Sequence, residues 1–380
     1  MTKRTWQLII AACLIGAAAA AAWIGPKVMR RMDMQGLKVV VVAKGLDNPW
    51  SLAFLPDGGM LVTERPGRLR RVGADGSLSP PLAGLPPVMA QGEGGLLDIA
   101  LDPGFAGNGR VYWTYSEPDP ANAAIASTAV ASGRLDGNRI VDVKVIFRQA
   151  RKVGDPTHFG SRLLFAPDGR LFVALWDRGQ RADAQSPASA HGKILRLEPD
   201  GTAPADNPFA VDPAALPQLW TLGHRNVQGL AFHPGTGELW ASEHGPQGGD
   251  ELNLIRKGRN YGWPVITYGC EYTTCARIGE GTQKDGLEQP VAHWTPQAIA
   301  PTGMAFVTSD RYPGWKGDLF VGMLQGRALM RVRLDGQKVV EQQPVLTGLM
   351  DRVRDVRQGP DGWLYLLVGR DQGRIIRVER

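Results

Sequence analysis

Four polar segments hold the residues that could do chemistry. The first, Asp155-Pro-Thr-His-Phe-Gly-Ser-Arg162, places His158 two residues ahead of a glycine, just before an apolar run. Imidazole is the side chain best poised to take a proton near neutral pH, although a lone histidine is more often a hydrogen-bonded surface residue. The second, Leu222-Gly-His-Arg-Asn-Val-Gln-Gly229, groups Arg225, Asn226 and Gln228 before another apolar run. A guanidinium offers planar, paired donors to carboxylates; the same residues could instead clamp neighbouring strands. The third, Ser242-Glu-His-Gly-Pro-Gln-Gly-Gly-Asp-Glu-Leu-Asn253, is followed by Asn260-Tyr-Gly-Trp-Pro264. Its Gly and Pro residues keep the backbone irregular, and exposed carbonyls beside Glu243, Asp250 and Glu251 make an oxygen-rich segment of the kind that suits Ca²⁺. The spacing is not that of an EF-hand, so a polar turn competes with it. The fourth is Asp351-Arg-Val-Arg-Asp355. Alternation along an extended segment puts Arg352 and Arg354 on one face. There they repel each other unless an anion lies between them or the flanking aspartates pair with them.

These segments need a scaffold, and the chain repeats one. A short apolar run ends in Pro-Asp-Gly or a close variant, and a second apolar run follows. The copies are Leu52–Val62, Ile99–Trp113, Leu163–Val173, Leu230–Trp240, Met304–Val321 and Val356–Tyr365. Pro presets φ, Asp caps the turn and Gly takes positive φ, so each copy reads as a hairpin. A further strand carrying a basic residue follows most copies, as in Arg68–Val72, Lys193–Leu197, Leu329–Leu334 and Arg374–Val378. Six units of three or four strands predict an all-β, six-bladed β-propeller over residues 37–380. Pro56 and Pro103 are 47 residues apart and Pro167 and Pro234 are 67 apart, so the longer interval implies inserted loops, where sites are built. Lys38-Val-Val-Val-Val42 precedes the first unit and could pair with the last strands to close the ring.

Composition narrows the function. Gly 48 and Pro 28 in 380 residues fit a turn-rich β protein. Lys3, Arg4, Lys27, Arg30 and Arg31 against Asp33 account for +4 of the net +6. The nearly neutral body argues against a nucleic-acid-binding role, which needs a basic stripe. Residues 1–36 read as a targeting segment: a basic start, then an uncharged stretch from Thr5 to Pro26. It fits a cleaved secretory signal or a retained membrane anchor, and either puts the propeller outside the cytoplasm, in the periplasm or a like compartment. Cys270 and Cys275 share one loop, which in an exported protein reads as a local disulfide. No C-x-x-C-H haem motif is present.

The order His-Phe-Gly-x-Arg, Gly-His-Arg-Asn-x-Gln-Gly, Glu-His-Gly-Pro-x-Gly-Gly-Asp-Glu, Asn-Tyr-Gly-Trp-Pro and Arg-x-Arg-Asp resembles the soluble PQQ-dependent aldose sugar dehydrogenases and the wider glucose/sorbosone dehydrogenase family. The resemblance covers essentially residues 40–380 and implies a six-bladed propeller, in agreement with the repeats. It implies the cofactors PQQ and Ca²⁺ and an aldose substrate oxidised at the anomeric carbon. His158 would be the general base, with Arg225 beside it. Arg225 and Asn226 would contact PQQ, and Arg352 and Arg354 would meet its carboxylates. The carbonyls of Gly245 and Pro246 would hold a Ca²⁺ at the cofactor; Glu251 and Tyr261 resemble a second, structural Ca²⁺ site. Three positions depart from the family pattern. Glu93 stands where a Gln is usual, Gln325 where a Lys is usual, and His244 where the glucose dehydrogenase branch has a Gln. An added carboxylate beside an anionic quinone is unfavourable unless it is protonated or paired.

Two other readings stay open at this point: a non-catalytic propeller that binds carbohydrate or protein, and a metal-dependent lactonase on a similar ring. The lactonase needs several carboxylates converging on the channel, and the arginine pairs argue against that. The sugar and the electron acceptor are not legible in the sequence.

Overall fold

A computed structural model describes residues 36–380. The targeting segment read at residues 1–36 lies outside this range except for its last residue. The apolar runs have become the two innermost strands of six sheets arranged around one axis. Blade one holds β2 (Pro49–Phe54), β3 (Met60–Glu64) and β4 (Arg68–Val72). Blade two holds β5 (Leu96–Leu101), β6 (Arg110–Pro118), β7 (Ala126–Asp136) and β8 (Arg139–Arg148). Blade three runs from β9 (Leu163–Phe165) and β10 (Leu171–Leu175) to β11 (Lys193–Leu197) and β12 (Leu219–Leu222). Blade four has β13 (Val227–Phe232), β14 (Leu239–Glu243), β15 (Asp250–Ile255) and β16 (Ala292–Trp294). Blade five has β17 (Pro301–Phe306), β18 (Leu319–Met323), β19 (Leu329–Asp335) and β20 (Lys338–Val345). Blade six has β21 (Val353–Gln358), β22 (Leu364–Val368) and β23 (Gly373–Glu379), and its outer strand is β1 (Lys38–Leu46). The pairing of β1 with β23, Lys38 opposite Glu379, closes the ring as the early valine run suggested. Blade one lacks a fourth strand. The irregular segment after β4 takes that edge instead, through Ser79 N to Arg71 O and Leu82 N to Leu69 O.

Each six-copy hairpin turn joins the first strand of a blade to the second, so all those turns lie on one face. The starts of the first strands and the ends of the second strands meet at the opposite face. All four chemistry-bearing segments lie at such starts or ends, and that face carries the site. Apolar clusters fill the gaps between successive blades, with Trp113, Trp240, Leu61, Val173 and Leu366 fully buried. Around the axis a buried charge hub joins the first strands. Arg162 Nη1 meets Asp355 Oδ1 at 2.9 Å, and Arg357 meets Asp355 and Asp98 at 2.9 Å each. Asp98 also takes the Ser51 hydroxyl and the Leu163 N–H, and Arg162 donates to the carbonyls of Gln228 and Arg354. Five blades thus converge on four charges. Buried charges persist only where they are paired and hydrogen-bonded.

Candidate active site

His158 follows directly from this frame. It sits in the loop before β9 with φ of +56°, and its backbone N–H donates to Glu93 Oε2 at 2.8 Å. Its ring packs edge-on to Trp176 at 5.4 Å between centroids. Nδ1 lies 3.0 Å from Asp177 Oδ1. Asp177 directly follows Trp176 after β10 and is buried; its other oxygen accepts Trp263 Nε1 at 2.8 Å, and Gly179 N donates to Oδ1 at 3.0 Å. Burial alone would push this carboxyl up. The hydrogen bond and charge of His158, with Arg225 beside them, instead hold it below the usual carboxylate value. An ionised Asp177 fixes the proton on Nδ1 and leaves Nε2 as the acceptor nitrogen. Arg225 Nη2 stands 3.4 Å from Nε2. The sequence reading missed Asp177: nineteen residues separate it from His158, and an Asp in a polar loop carries no spacing signal.

Arg225 is itself held from both ends. Its backbone N–H and that of Asn226 donate to Glu243 Oε1, and its Nη1 donates to Gly245 O at 2.6 Å. Trp263 and Tyr272 flank its guanidinium. Asn226 is buried and does not line the main cavity. Its Oδ1 accepts Gln228 Nε2 at 2.9 Å, and Gln228 Oε1 accepts Arg354 Nη1 at 3.1 Å, so Asn226 acts on the cavity through Gln228.

The cavity has a volume of about 550 Å³ and opens on the face just described. Five arginines line it: Arg65, Arg327, Arg352, Arg354 and Arg370, against one carboxylate, Glu93. Asp351 and Asp355 do not neutralise the Arg352–Arg354 pair. Asp355 belongs to the axial hub, and Asp351 pairs with Arg374 and the Arg352 backbone. Burial, then the neighbouring Arg352 and Arg162 charges, lowers the Arg354 guanidinium to about 9; burial, then Arg370 and Arg327, lowers that of Arg352. Cations held this way favour an anion between them. Trp50, Phe159 and Trp176 supply apolar walls. The three departing positions all line this cavity. Glu93 tethers the His158 loop through one oxygen, and its charge is felt by Arg352 and Arg354 across the cavity. Gln325 and Arg327 both reach the cavity because they lie in the turn between β18 and β19, where strand alternation does not apply, with Arg327 at φ +50°. Arg327 therefore brings in the charge that Gln325 lacks. His244 is neutral: burial pushes its ring down to about 3, and its Nε2 bonds to Pro301 O at 2.7 Å.

A second, ion-sized hole lies beside Arg225, lined by Gly223, Glu243, Gly245, Pro246, Glu251 and Tyr261 among others. Glu251 sits directly across from Glu243 in the β14–β15 ladder. Burial, reinforced by Glu243, pushes its carboxyl up to about 8, and Asn253 Nδ2 donates to its Oε2 at 3.0 Å. An under-supplied, partly buried carboxylate beside backbone oxygens fits a hard cation. The Tyr261 hydroxyl already bonds to Leu254 O and Arg256 N, so its carbonyl is what it can offer. At Gly245 the carbonyl accepts Arg225 and the N–H donates to Asp250 Oδ1 at 3.0 Å, leaving one lone pair of the carbonyl for an ion. No cluster of three or more His, Cys, Asp or Glu side chains forms a metal site among the described residues, and a site built from carbonyls is of another kind. The loop wall near Arg225 is tied by the Cys270–Cys275 disulfide, with Cα atoms 4.7 Å apart, as the cysteine spacing suggested. It is also tied by a two-pronged Arg181–Glu271 ion pair.

Known proteins resemble this chain over most of its length. A family model described as Glucose / Sorbosone dehydrogenase matches residues 46–377. The aldose sugar dehydrogenase YliI of Escherichia coli (strain K12) is 42% identical over 383 residues, covering 100% of this chain and 99% of that protein. The solved apo-form of the soluble aldose sugar dehydrogenase from Escherichia coli superposes with a TM-score of 0.87 at 43% identity, covering 90% of this chain and 99% of that one. The PQQ-bound aldose sugar dehydrogenase from Streptomyces coelicolor superposes with a TM-score of 0.71 at 32% identity, covering 90% and 98%.

Proposed function

The chain belongs to the glucose/sorbosone dehydrogenase family, and on that premise we propose that it is a PQQ-dependent dehydrogenase that oxidises aldoses at the anomeric carbon to lactones. One observation carries the reading: a cavity walled by arginines without carboxylate partners opens beside a histidine whose base nitrogen is set by a buried aspartate. Arg352 and Arg354, with Arg327, Arg65 and Arg370 around them, suit the three carboxylates of PQQ. PQQ, when bound, supplies the quinone that receives the hydride. The protein's own part is proton handling. His158 Nε2 takes the proton of the anomeric hydroxyl, and Asp177 steadies the imidazolium that results. Arg225 Nη2, beside Nε2, stabilises the sugar oxygen as negative charge grows on it. Trp50, Phe159 and Trp176 exclude water from the apolar walls. The carbonyls of Gly245 and Pro246 would hold a Ca²⁺ that polarises the quinone, and Glu251 with the Tyr261 carbonyl would hold a structural one.

The protein is exported on this reading. The N-terminal composition and the local disulfide support that. Among the described residues no helix is long and apolar enough to cross a membrane. The test is reconstitution of metal-stripped protein with PQQ, with and without Ca²⁺, against a panel of aldoses and a reducible dye. Turnover that needs both additions is expected. Tight PQQ binding with no sugar oxidation would favour a non-catalytic propeller instead.

A further inference from the structure

A sugar dehydrogenase must also discharge its electrons, and the cavity mouth is asymmetric in a way that bears on where. His158, Arg225 and the exposed ring of Tyr272 lie on the blade three and four side. Across the ring, on blade six, a groove of about 750 Å³ runs from the cavity outward between the β22–β23 turn and the end of β1. Gly369 and Arg370 line both spaces, so the two are adjacent. The groove's charged residues are Lys44, Arg370, Arg374 and Asp351. Arg374 and Asp351 neutralise each other at 2.8 Å. Among the described residues no carboxylate pairs with Lys44 or Arg370, and both are exposed. The path inward meets Arg352 and Arg327. A concave track of one sign of charge concentrates ions of the other sign and speeds their arrival ~10–10³-fold, and its size is that of a small-molecule site.

We infer that the Lys44–Arg370 groove is the docking site of the oxidative half-reaction and takes a small anionic redox molecule, while the sugar occupies the opposite, His158 side. The inference rests on the dehydrogenase reading above. The balance is simple: an aldose becomes a lactone by giving up two electrons and two protons. The electrons leave one at a time to two one-electron acceptor molecules, and the protons go to water.

The test uses the PQQ- and Ca²⁺-loaded protein and the variant Lys44→Glu/Gln372→Glu. Neither residue lines the cofactor cavity. Ferricyanide and the cationic hexaammineruthenium(III) serve as acceptors of opposite charge. In the variant, kcat/KM for ferricyanide should fall about tenfold and that for the cation should rise, with sugar KM unchanged. Binding of ferrocyanide to the loaded protein, followed by calorimetry without turnover, should weaken in parallel. Equal effects on both acceptors, or unchanged ferrocyanide binding, would overturn the inference. Sugar-driven bleaching of the bound cofactor, measured by stopped flow without acceptor, separates the two claims. If bleaching fails, the dehydrogenase reading fails with it; if bleaching is normal but acceptor charge is immaterial, only the groove assignment fails.

Discussion

At the residue scale the proposed mechanism divides labour between one base and several fixed charges. His158→Ala should lower kcat by ~10²–10⁴-fold while PQQ affinity, read by fluorescence titration, stays within about twofold. A slow variant that has also lost its cofactor would place His158 in binding instead. Asp177→Asn keeps the shape but no longer demands the proton on Nδ1, so kcat should drop by about 10²-fold or more. A Glu substitution that restores part of the rate would support the orienting role. Arg352→Ala and Arg354→Ala each remove a charge-assisted donor worth ~1.5–3 kcal/mol, so each should weaken PQQ by roughly 10–100-fold. Apo-protein stability should hold or rise, because burial already disfavours these two cations in the empty cavity. A stability loss in the apo-protein would mean they serve the fold.

At the scale of elements, two devices hold the site in place. The axial hub fixes the backbone of Arg354 and Gln228 through Arg162. Asp355→Ala leaves Arg162 and Arg357 short of a partner in a buried place, which should cost ~3–5 kcal/mol. A shift of the urea midpoint checks this. The second device is the β15–β16 connection, in which the Cys270–Cys275 bridge and the Arg181–Glu271 pair set Tyr272 beside Arg225. Replacing both cysteines by serine should remove roughly 2 kcal/mol of loop restraint. Sugar KM should rise, and PQQ affinity should change less, because Arg352 and Arg354 lie on blade six. Parallel losses in both would show that the loop supports the cofactor as well.

At the scale of the whole molecule, stability depends on closing a ring. Without β1 the last strand, β23, would present a bare edge, which templates aggregation. Acid should loosen the ring too. Asp177 and Glu117 lie below their ordinary values of 3.8 and 4.5, Asp177 through His158 and Glu117 through Lys152 and Arg148, each against the upward push of burial. Lowered folded values mean that their stabilisation is complete above the unfolded values and is lost as pH falls through the folded ones. These two groups therefore lower the thermal midpoint below about pH 4, while between pH 4.5 and 6.5 neutral His244 and protonated Glu251 act in opposite directions. A midpoint flat down to pH 3 would contradict these assignments.

The chain alone determined the propeller, because the first hairpins of blades one, three and six use turn chemistry that is local, Pro, Asp and Gly in succession, and the other blades carry looser copies. It also carried the residue types of the site, since His158, Arg225, Arg352 and Arg354 stand in short motifs. Tertiary structure decided what those residues do. Asp177 becomes the partner of His158 only because the loops before β9 and after β10 end on one face. Asp355 is drawn into the axial hub and leaves its neighbouring arginines without a counter-charge. Arg327 enters the cavity because a turn, not a strand, carries it there. The hairpin turns that made the fold legible lie on the face opposite the site. The site itself is assembled from the other ends of the strands, contributed by all six blades, and such contacts leave no periodic trace in a sequence.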